Sequence, residues 1–290
     1  MTHIFIGMQT LSERIEDTIL QHDNRGMGRL RQALLPGYCW RAAQIIRDNK
    51  GVVLIGTGFP VSGSFESDGP IGAIALYRVL KELNCEPVLV CAPPISKILG
   101  RNFRTYELPL VEWEKSKPVV IRALRNLKPR LIVSIERPGV AADGRYYNMH
   151  KNDISALTAK FDLFLQESNC PSIAFGDGGN EIGMGNVRDA LATLDIIPAV
   201  TTCDELVIAS VSNWGVYGVI AALCRLLNRD LFEIFDSETI ANYLVDNGCV
   251  DGVTTRPESS EDGFPISVGL GIIDQLRDLV FKYGQEAVSD

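Results

Sequence analysis

Between Val52 and Ala209 the chain repeats one pattern: a short run of Val, Ile and Leu, then a segment with helical spacing. The runs are Val52–Ile55, Val88–Val90, Leu131–Ile135, Ser172–Phe175 and Leu206–Ala209. A strand that is apolar on both sides of its pleat must be covered on both faces, and helices between successive strands supply that cover. The pattern therefore predicts an α/β fold, a doubly wound and predominantly parallel sheet covered by helices on both faces. Ahead of it, Leu11, Ile15 and Ile19 recur at a spacing of four, and a second amphipathic stretch runs from Tyr38 to Asn49. Residues 1–50 are expected to be a helical leader packed on the core. With 290 residues, 46% of them hydrophobic and 22% charged, the chain can bury one large core, so a single α/β domain over 1–290 is expected.

Helix boundaries are written into the same region. Asp68 can cap a helix with Pro70 in its first turn and Leu76, Leu80 and Leu83 on one face. Pro118 is expected to open another that stops before Pro129, Asp153 to cap a segment through Phe164, and Ser237 to start a helix ending at Asn247-Gly248. The stretch from Cys249 to Pro265 has no periodicity, as functional loops often do not.

Composition removes several classes of partner. A net charge of −8 leaves no phosphate-neutralising surface, so nucleic acid is not expected. The seven cysteines form no C-x-x-C pair and several lie in apolar runs, which suits reduced thiols in a cytoplasmic protein. Glu13, Glu16 and Asp17 interrupt the first twenty residues, and no run is apolar enough to span a bilayer, so neither a targeting peptide nor a membrane is expected. The partner is a small-molecule substrate; a homo-oligomer is left open.

Ligands of an open parallel sheet bind beyond the carboxyl ends of its strands. There the sequence places Gly56 to Pro70 with Glu66 and Asp68, Glu136-Arg137-Pro138-Gly139 with Asp143 and Arg145, Gly176 to Gly185 with Asp177 and Glu181, and Ser212-Asn213-Trp214-Gly215. In the third loop Gly176, Gly178 and Gly179 allow close backbone approach, and Asn180 or Glu181 is expected at a helix amino terminus, which attracts anions. Asp177 and Glu181 would repel such an anion, and a bound cation resolves the conflict. Carboxylate oxygens select a hard divalent ion, Mg²⁺ or Mn²⁺ and potentially Ca²⁺. With three scattered histidines, at 3, 22 and 150, a histidine-rich zinc site is excluded. The glycine spacing and charge of Gly176–Gly185 do not match a dinucleotide fingerprint, so neither nicotinamide nor flavin is expected, and no Walker motif is present. Asp68 is read equally well as a helix cap or a metal ligand, and Glu136-Arg137 as a strand-end salt bridge or a functional pair. Arg137 and Arg145 could grip a carboxylate or simply solvate a surface. A metal-dependent enzyme on a phosphorylated or nucleotide substrate, and a non-catalytic metabolite- or metal-binding domain, both remain open.

Taken together, Thr57-Gly58-Phe59-Pro60-Val61, Glu66 to Pro70, Ile135 to Gly139 with Ala142-Asp143-Gly144, Asn148-Met149 with Asp153-Ile154-Ser155, Gly176 to Gly185, Ser212 to Gly215 and Asp262 to Pro265 resemble the carboxyl-terminal domain of D-glutamate cyclases. The resemblance implies a carbon–oxygen lyase that dehydrates D-glutamate to 5-oxo-D-proline. Two-part cyclases carry a further amino-terminal region, where this chain has a short helical leader. Tested against that chemistry, the residues divide into Asp177, Glu181 and Glu136 as catalytic groups, and Glu66, Asp68, Glu136, Asp177 and Glu181 as metal ligands. Arg137, Arg145, Gly178, Gly179, Asn180, Ser212 and Asn213 are the expected substrate contacts.

Overall fold

A computed structural model describes residues 2–286. The leader contributes helices α1 (Thr2–Ile19) and α2 (Tyr38–Asp48). Six parallel strands follow, β1 (Val52–Thr57), β2 (Glu86–Cys91), β3 (Thr105–Glu107), β4 (Leu131–Ile135), β5 (Ser172–Gly176) and β6 (Glu205–Ile208), in the order β3-β2-β1-β4-β5-β6. The register sets Ile55 between Leu89 and Val133, so the middle of the sheet is a continuous layer of branched side chains. The five expected runs are all strands. The sixth strand, β3, was not legible, because Thr105-Tyr106-Glu107 is a short edge strand with no apolar run to mark it.

Helices α3 (Pro70–Glu82), α4 (Trp113–Leu127), α5 (Asp162–Glu167), α6 (Ser212–Leu227), α7 (Ser237–Asp246) and α8 (Ile266–Glu286) cover the sheet. On one face α6 packs against α1, α2, α3 and α8; on the other α4 packs on α5. Helix α6 is buried at every position from Ser212 to Cys224, as suits a helix apolar on nearly all sides. One contiguous buried cluster joins Ile15, Ile19 and Tyr38 of the leader to the strands and to Leu276 of α8.

Some helix boundaries differ from expectation. Pro118 lies inside α4, which starts at Trp113; the buried stripe of Ser116, Val120 and Ala123 carries the helix past the missing N–H. The segment after Asp153 is a single 3₁₀ turn, Ser155–Leu157, followed by α5; Asp153 Oδ1 accepts from Ser155 N at 2.9 Å and closes a local turn. Helix α7 starts at Ser237 as expected, capped by Asp236, which accepts from Glu238 N and Thr239 N, and Gly248 follows its end at φ 94°. The stretch from Cys249 to Pro265 folds back as a small hairpin, Ser260–Glu261 against Phe264–Pro265.

The chain steps outward from β1 to β3, then returns to place β4 on the other side of β1. At that reversal the loops leaving β1 and β4 diverge, and a crevice opens between them.

Candidate active site

The crevice is a cleft of about 440 Å³ whose walls include Phe59, Glu66, Glu136, Asn180, Glu181 and Asp262. At its base one carboxylate oxygen each from Asp68, Glu136 and Asp177 lies within 4.8 Å of the others, and all three residues are buried. Each acid follows the carboxyl end of a different strand, which is why residues more than a hundred positions apart meet there.

Close approach depends on two backbone features. Glu136 ends β4 in the left-handed region at φ 44°, a conformation that non-glycine residues hold only when their surroundings enforce it. Gly69, at φ 88°, passes so near that a Cβ there would sit 2.7 Å from the Glu136 Cβ. Asp68 does cap a helix, but a different one from that expected. Its Oδ2 accepts from Ser212 N at 2.9 Å and its Oδ1 from Asn213 N at 2.8 Å, at the start of α6. Asn213 Oδ1 returns the favour to α3, accepting from Gly69 N at 2.9 Å and Gly72 N at 2.7 Å. The two helix starts thus lock each other, and the acid cluster is held between them.

Ser212 touches all three acids. Its N–H also donates to Asp177 Oδ2 at 3.2 Å, and its hydroxyl to Glu136 Oε2 at 2.5 Å. Ion pairs to the cluster and its rim come, among the described residues, from Arg25 of the leader, whose Nη1 is 2.5 Å from Asp177 Oδ1 and 2.6 Å from Asp262 Oδ2. One guanidinium does not balance so many buried acids. Burial, reinforced by Asp262, pushes Asp68 up to about 7. Burial also pushes Asp177 up to about 8, with Asp68 and Glu181 raising it further and Arg25 opposing. Glu136, Glu66 and Asp262 are held well above the ordinary carboxylate range by burial and by their acidic neighbours. Burial raises Glu181 too, while the Gly179 N–H at 2.7 Å lowers it. Acids that repel one another in a dry pocket either hold protons or surround a cation.

The family described as "D-glutamate cyclase-like, C-terminal" matches residues 15–277. The chain belongs to that family. A human relative, "D-glutamate cyclase, mitochondrial", is 33% identical over 76% of this chain and 40% of its own length, so the chain spans less than half of that protein. No described helix is long and apolar enough to cross a membrane.

In this family member the expected residues separate into distinct places. Asp68, Glu136 and Asp177 converge at the base, while Glu66, Glu181 and Asn180 line the cleft. Asn180 Nδ2 donates to Tyr147 O at 2.9 Å, and its Oδ1 is buried without a partner. Ser212 and Asn213 lie beneath the cleft, holding the acids and the helix starts. Gly178 and Gly179 serve packing: a Cβ on the first would meet Glu181 Oε1 at 2.7 Å, and on the second, at φ 104°, Ile196 Cδ1 at 2.3 Å.

Three expectations are corrected. Arg137 does not face the cleft, which its neighbour Glu136 lines. Its guanidinium is buried and donates to Gly58 O and Ala159 O, each at 2.6 Å. Arg145 is exposed on a surface turn, 3.6 Å from Asp153. Asn180 and Glu181 do not begin a helix; the chain turns through Gly183 into one 3₁₀ turn, Met184–Val187. Several N–H groups of the loop are engaged within the protein, Gly179 with Glu181 Oε2, Ile182 with Arg137 O and Gly183 with Thr201 O.

Sequence reasoning missed Arg25, gave Asp262 no role, and passed over Glu261, which accepts from Asn213 Nδ2, Trp214 Nε1 and Tyr217 OH. An arginine inside the turn-forming string Asp23-Asn24-Arg25-Gly26-Met27-Gly28 was the available signal for the first. The aperiodic stretch after Cys249 was the signal for the others.

Proposed function

We propose that this chain is a D-glutamate cyclase-type lyase, converting D-glutamate to 5-oxo-D-proline and water with the help of a divalent cation, Mg²⁺ or Mn²⁺. The observation that carries the reading is the convergence of Asp68, Glu136 and Asp177 within 4.8 Å at the base of a cleft at the strand-order reversal. Those three carboxylates fit the donor set of a hard cation, and their mutual repulsion is the energy a cation would relieve. Bound there, the ion would supply Lewis acidity toward the substrate's γ-carboxylate.

The protons balance without an external acid or base. The α-ammonium gives up two protons as nitrogen bonds to the carbon of the γ-carboxylate, one carbon–oxygen bond of that carboxylate breaks, and the departing oxygen leaves with both as water. Glu66 and Glu181 line the cleft, and both carry raised proton affinities, mainly from burial. Raised proton affinity at the cleft wall suits a group that takes up and returns protons, so Glu181 and Glu66 carry protons from nitrogen to oxygen. Ser212 fixes Glu136 through its hydroxyl and Asp68 and Asp177 through its N–H. Phe59 and Ile154 keep part of the wall apolar and exclude water from the ring-closing geometry. The seven unpaired cysteines suit a reducing, cytoplasmic compartment.

The test uses this chain by itself, since it covers under half of its human relative. Purified protein is incubated with D-glutamate, with Mn²⁺ or with a chelator, and 5-oxo-D-proline is measured by chromatography. Cation-dependent product supports the reading; no product under any metal condition overturns it, and binding without turnover assigns a metabolite-binding role instead.

A further inference from the structure

A cleft walled by carboxylates repels a dicarboxylate substrate, so some cation must receive it. Arg25 is placed for that. The turn that carries it is wound around one side chain: Asp23 Oδ1 accepts from the N–H groups of Arg25 at 3.2 Å, Gly26 at 2.8 Å and Met27 at 3.0 Å, and Asp23 Oδ2 from Gly28 at 2.8 Å. Met27 and Leu30 are buried immediately after, so the turn is anchored on the core. From it the guanidinium enters the cleft wall with its side chain 23% exposed. The shortest contact of each of its ion pairs, to Asp177 and to Asp262, is made by Nη1. Among the described residues its side-chain hydrogen bond is that of Nη1 to Asp177, and Nε and Nη2 donate none. That pair of N–H groups is the edge with which arginine holds a carboxylate bidentately.

We infer that Arg25 is the substrate-recognition residue of the cleft: its Nε–Nη2 edge takes the α-carboxylate while Nη1 stays on Asp177 and Asp262. Asp23 is its positioning residue. The inference rests on the D-glutamate reading of the site and names the group that selects the acid. It moves carboxylate recognition from Arg137 and Arg145, which lie elsewhere, to the leader.

The deciding variant is Arg25→Lys, which keeps a positive charge beside Asp177 and Asp262 but lacks the fork. The probes are D-glutamate, 5-oxo-D-proline, which keeps the α-carboxylate, and 4-aminobutyrate, which lacks it. Isothermal titration should show the variant binding the first two more weakly by on the order of ten- to a hundred-fold, the loss expected for a charge-assisted bidentate contact. Binding of 4-aminobutyrate, thermal stability and Mn²⁺ affinity should match the wild type. In turnover, KM should rise while kcat changes little, and Asp23→Ala should shift KM in the same direction by less. Wild-type D-glutamate affinity in Arg25→Lys, equal losses for 4-aminobutyrate, or a wild-type protein that binds neither carboxylate probe would each overturn the inference. The two readings fail separately. Arg25-dependent binding without product sinks the lyase and keeps this assignment; product formed at unchanged KM by Arg25→Lys does the reverse.

Discussion

The protein buries acids in two ways, and the contrast between Asp162 and the Asp68, Glu136, Asp177 cluster separates architecture from chemistry. Asp162 is fully buried, yet its Oδ1 accepts from Val140 N at 2.9 Å and Thr201 Oγ1 at 2.5 Å, and its Oδ2 from Tyr146 OH at 2.7 Å. Each oxygen has at least one donor of its own, from Val140, Thr201 and Tyr146. Such an acid ties three segments together and asks for nothing further. In the cluster three acids share one small volume and divide a few donors, mainly the Ser212 N–H and hydroxyl, the Gly69 and Asn213 N–H groups and Arg25. Folding alone would not select that arrangement, since removing like charges from a dry pocket stabilises it. The proposed cation and reaction would give the arrangement a purpose that packing does not.

If the contrast is sound, the two acids respond oppositely to substitution. Asp177→Asn should lower 5-oxo-D-proline formation by about 10²- to 10⁴-fold, the range for losing a positioned acid or base. Mn²⁺ binding by calorimetry should disappear, while the melting temperature at pH 8 holds or rises because one repelling charge is gone. Asp162→Ala should leave Val140 N, Thr201 Oγ1 and Tyr146 OH without their acceptor and lower stability by about 3–5 kcal/mol in urea unfolding. Cation affinity of its folded fraction should be unchanged. A collapse of stability in Asp177→Asn, or loss of Mn²⁺ binding in Asp162→Ala, would erase the distinction.

Proton linkage gives a milder test. An acid whose folded pKa is raised stabilises the fold most below its unfolded pKa and loses that contribution as pH rises through the folded value. Asp68 at about 7 and Asp177 at about 8 therefore predict that apo stability falls from about pH 4 to pH 8, with a limiting slope of about 1.4 kcal/mol per unit for each group. Divalent cation binds the ionised acids, so Mn²⁺ should raise the melting temperature more at pH 8 than at pH 5.5. A melting curve independent of pH, or a Mn²⁺ shift larger at pH 5.5, contradicts the cluster.

The difference between the two acids was only partly visible in the sequence. The strands were legible because burial on both faces leaves unbroken apolar runs, and Asp68, Glu136 and Asp177 were legible because each follows such a run. Asp162 was passed over, since a lone acid at the start of a short helix carries no pattern. Arg137 and Arg145 were misplaced for a related reason. Proximity in sequence to Glu136 and Asp143 says nothing about the side of the strand end to which a side chain turns. Arg25 lies far from the strands it serves, and only the packing of α1 and Met27 on the core brings it to the cleft. Asp68 shows a further limit: its capping chemistry was readable, but the helix it caps begins 144 positions later.

The smallest effect is expected at Ser212, where side chain and backbone can be separated. Ser212→Ala removes the hydroxyl bonded to Glu136 Oε2 and keeps the N–H that serves Asp68 and Asp177. Losing one supporting hydrogen bond behind a metal ligand weakens such sites by about 10- to 100-fold, and the lower end applies where two of three acids keep their donor. Mn²⁺ affinity should therefore fall about ten-fold. The alkaline shift follows in sign: without that donor Glu136 holds its proton more tightly, so the pH at which Mn²⁺ binding reaches half its maximum moves upward. An effect as large as that of Asp177→Asn would mean that the hydroxyl itself meets the substrate, and would move Ser212 from supporting the acids into the reaction.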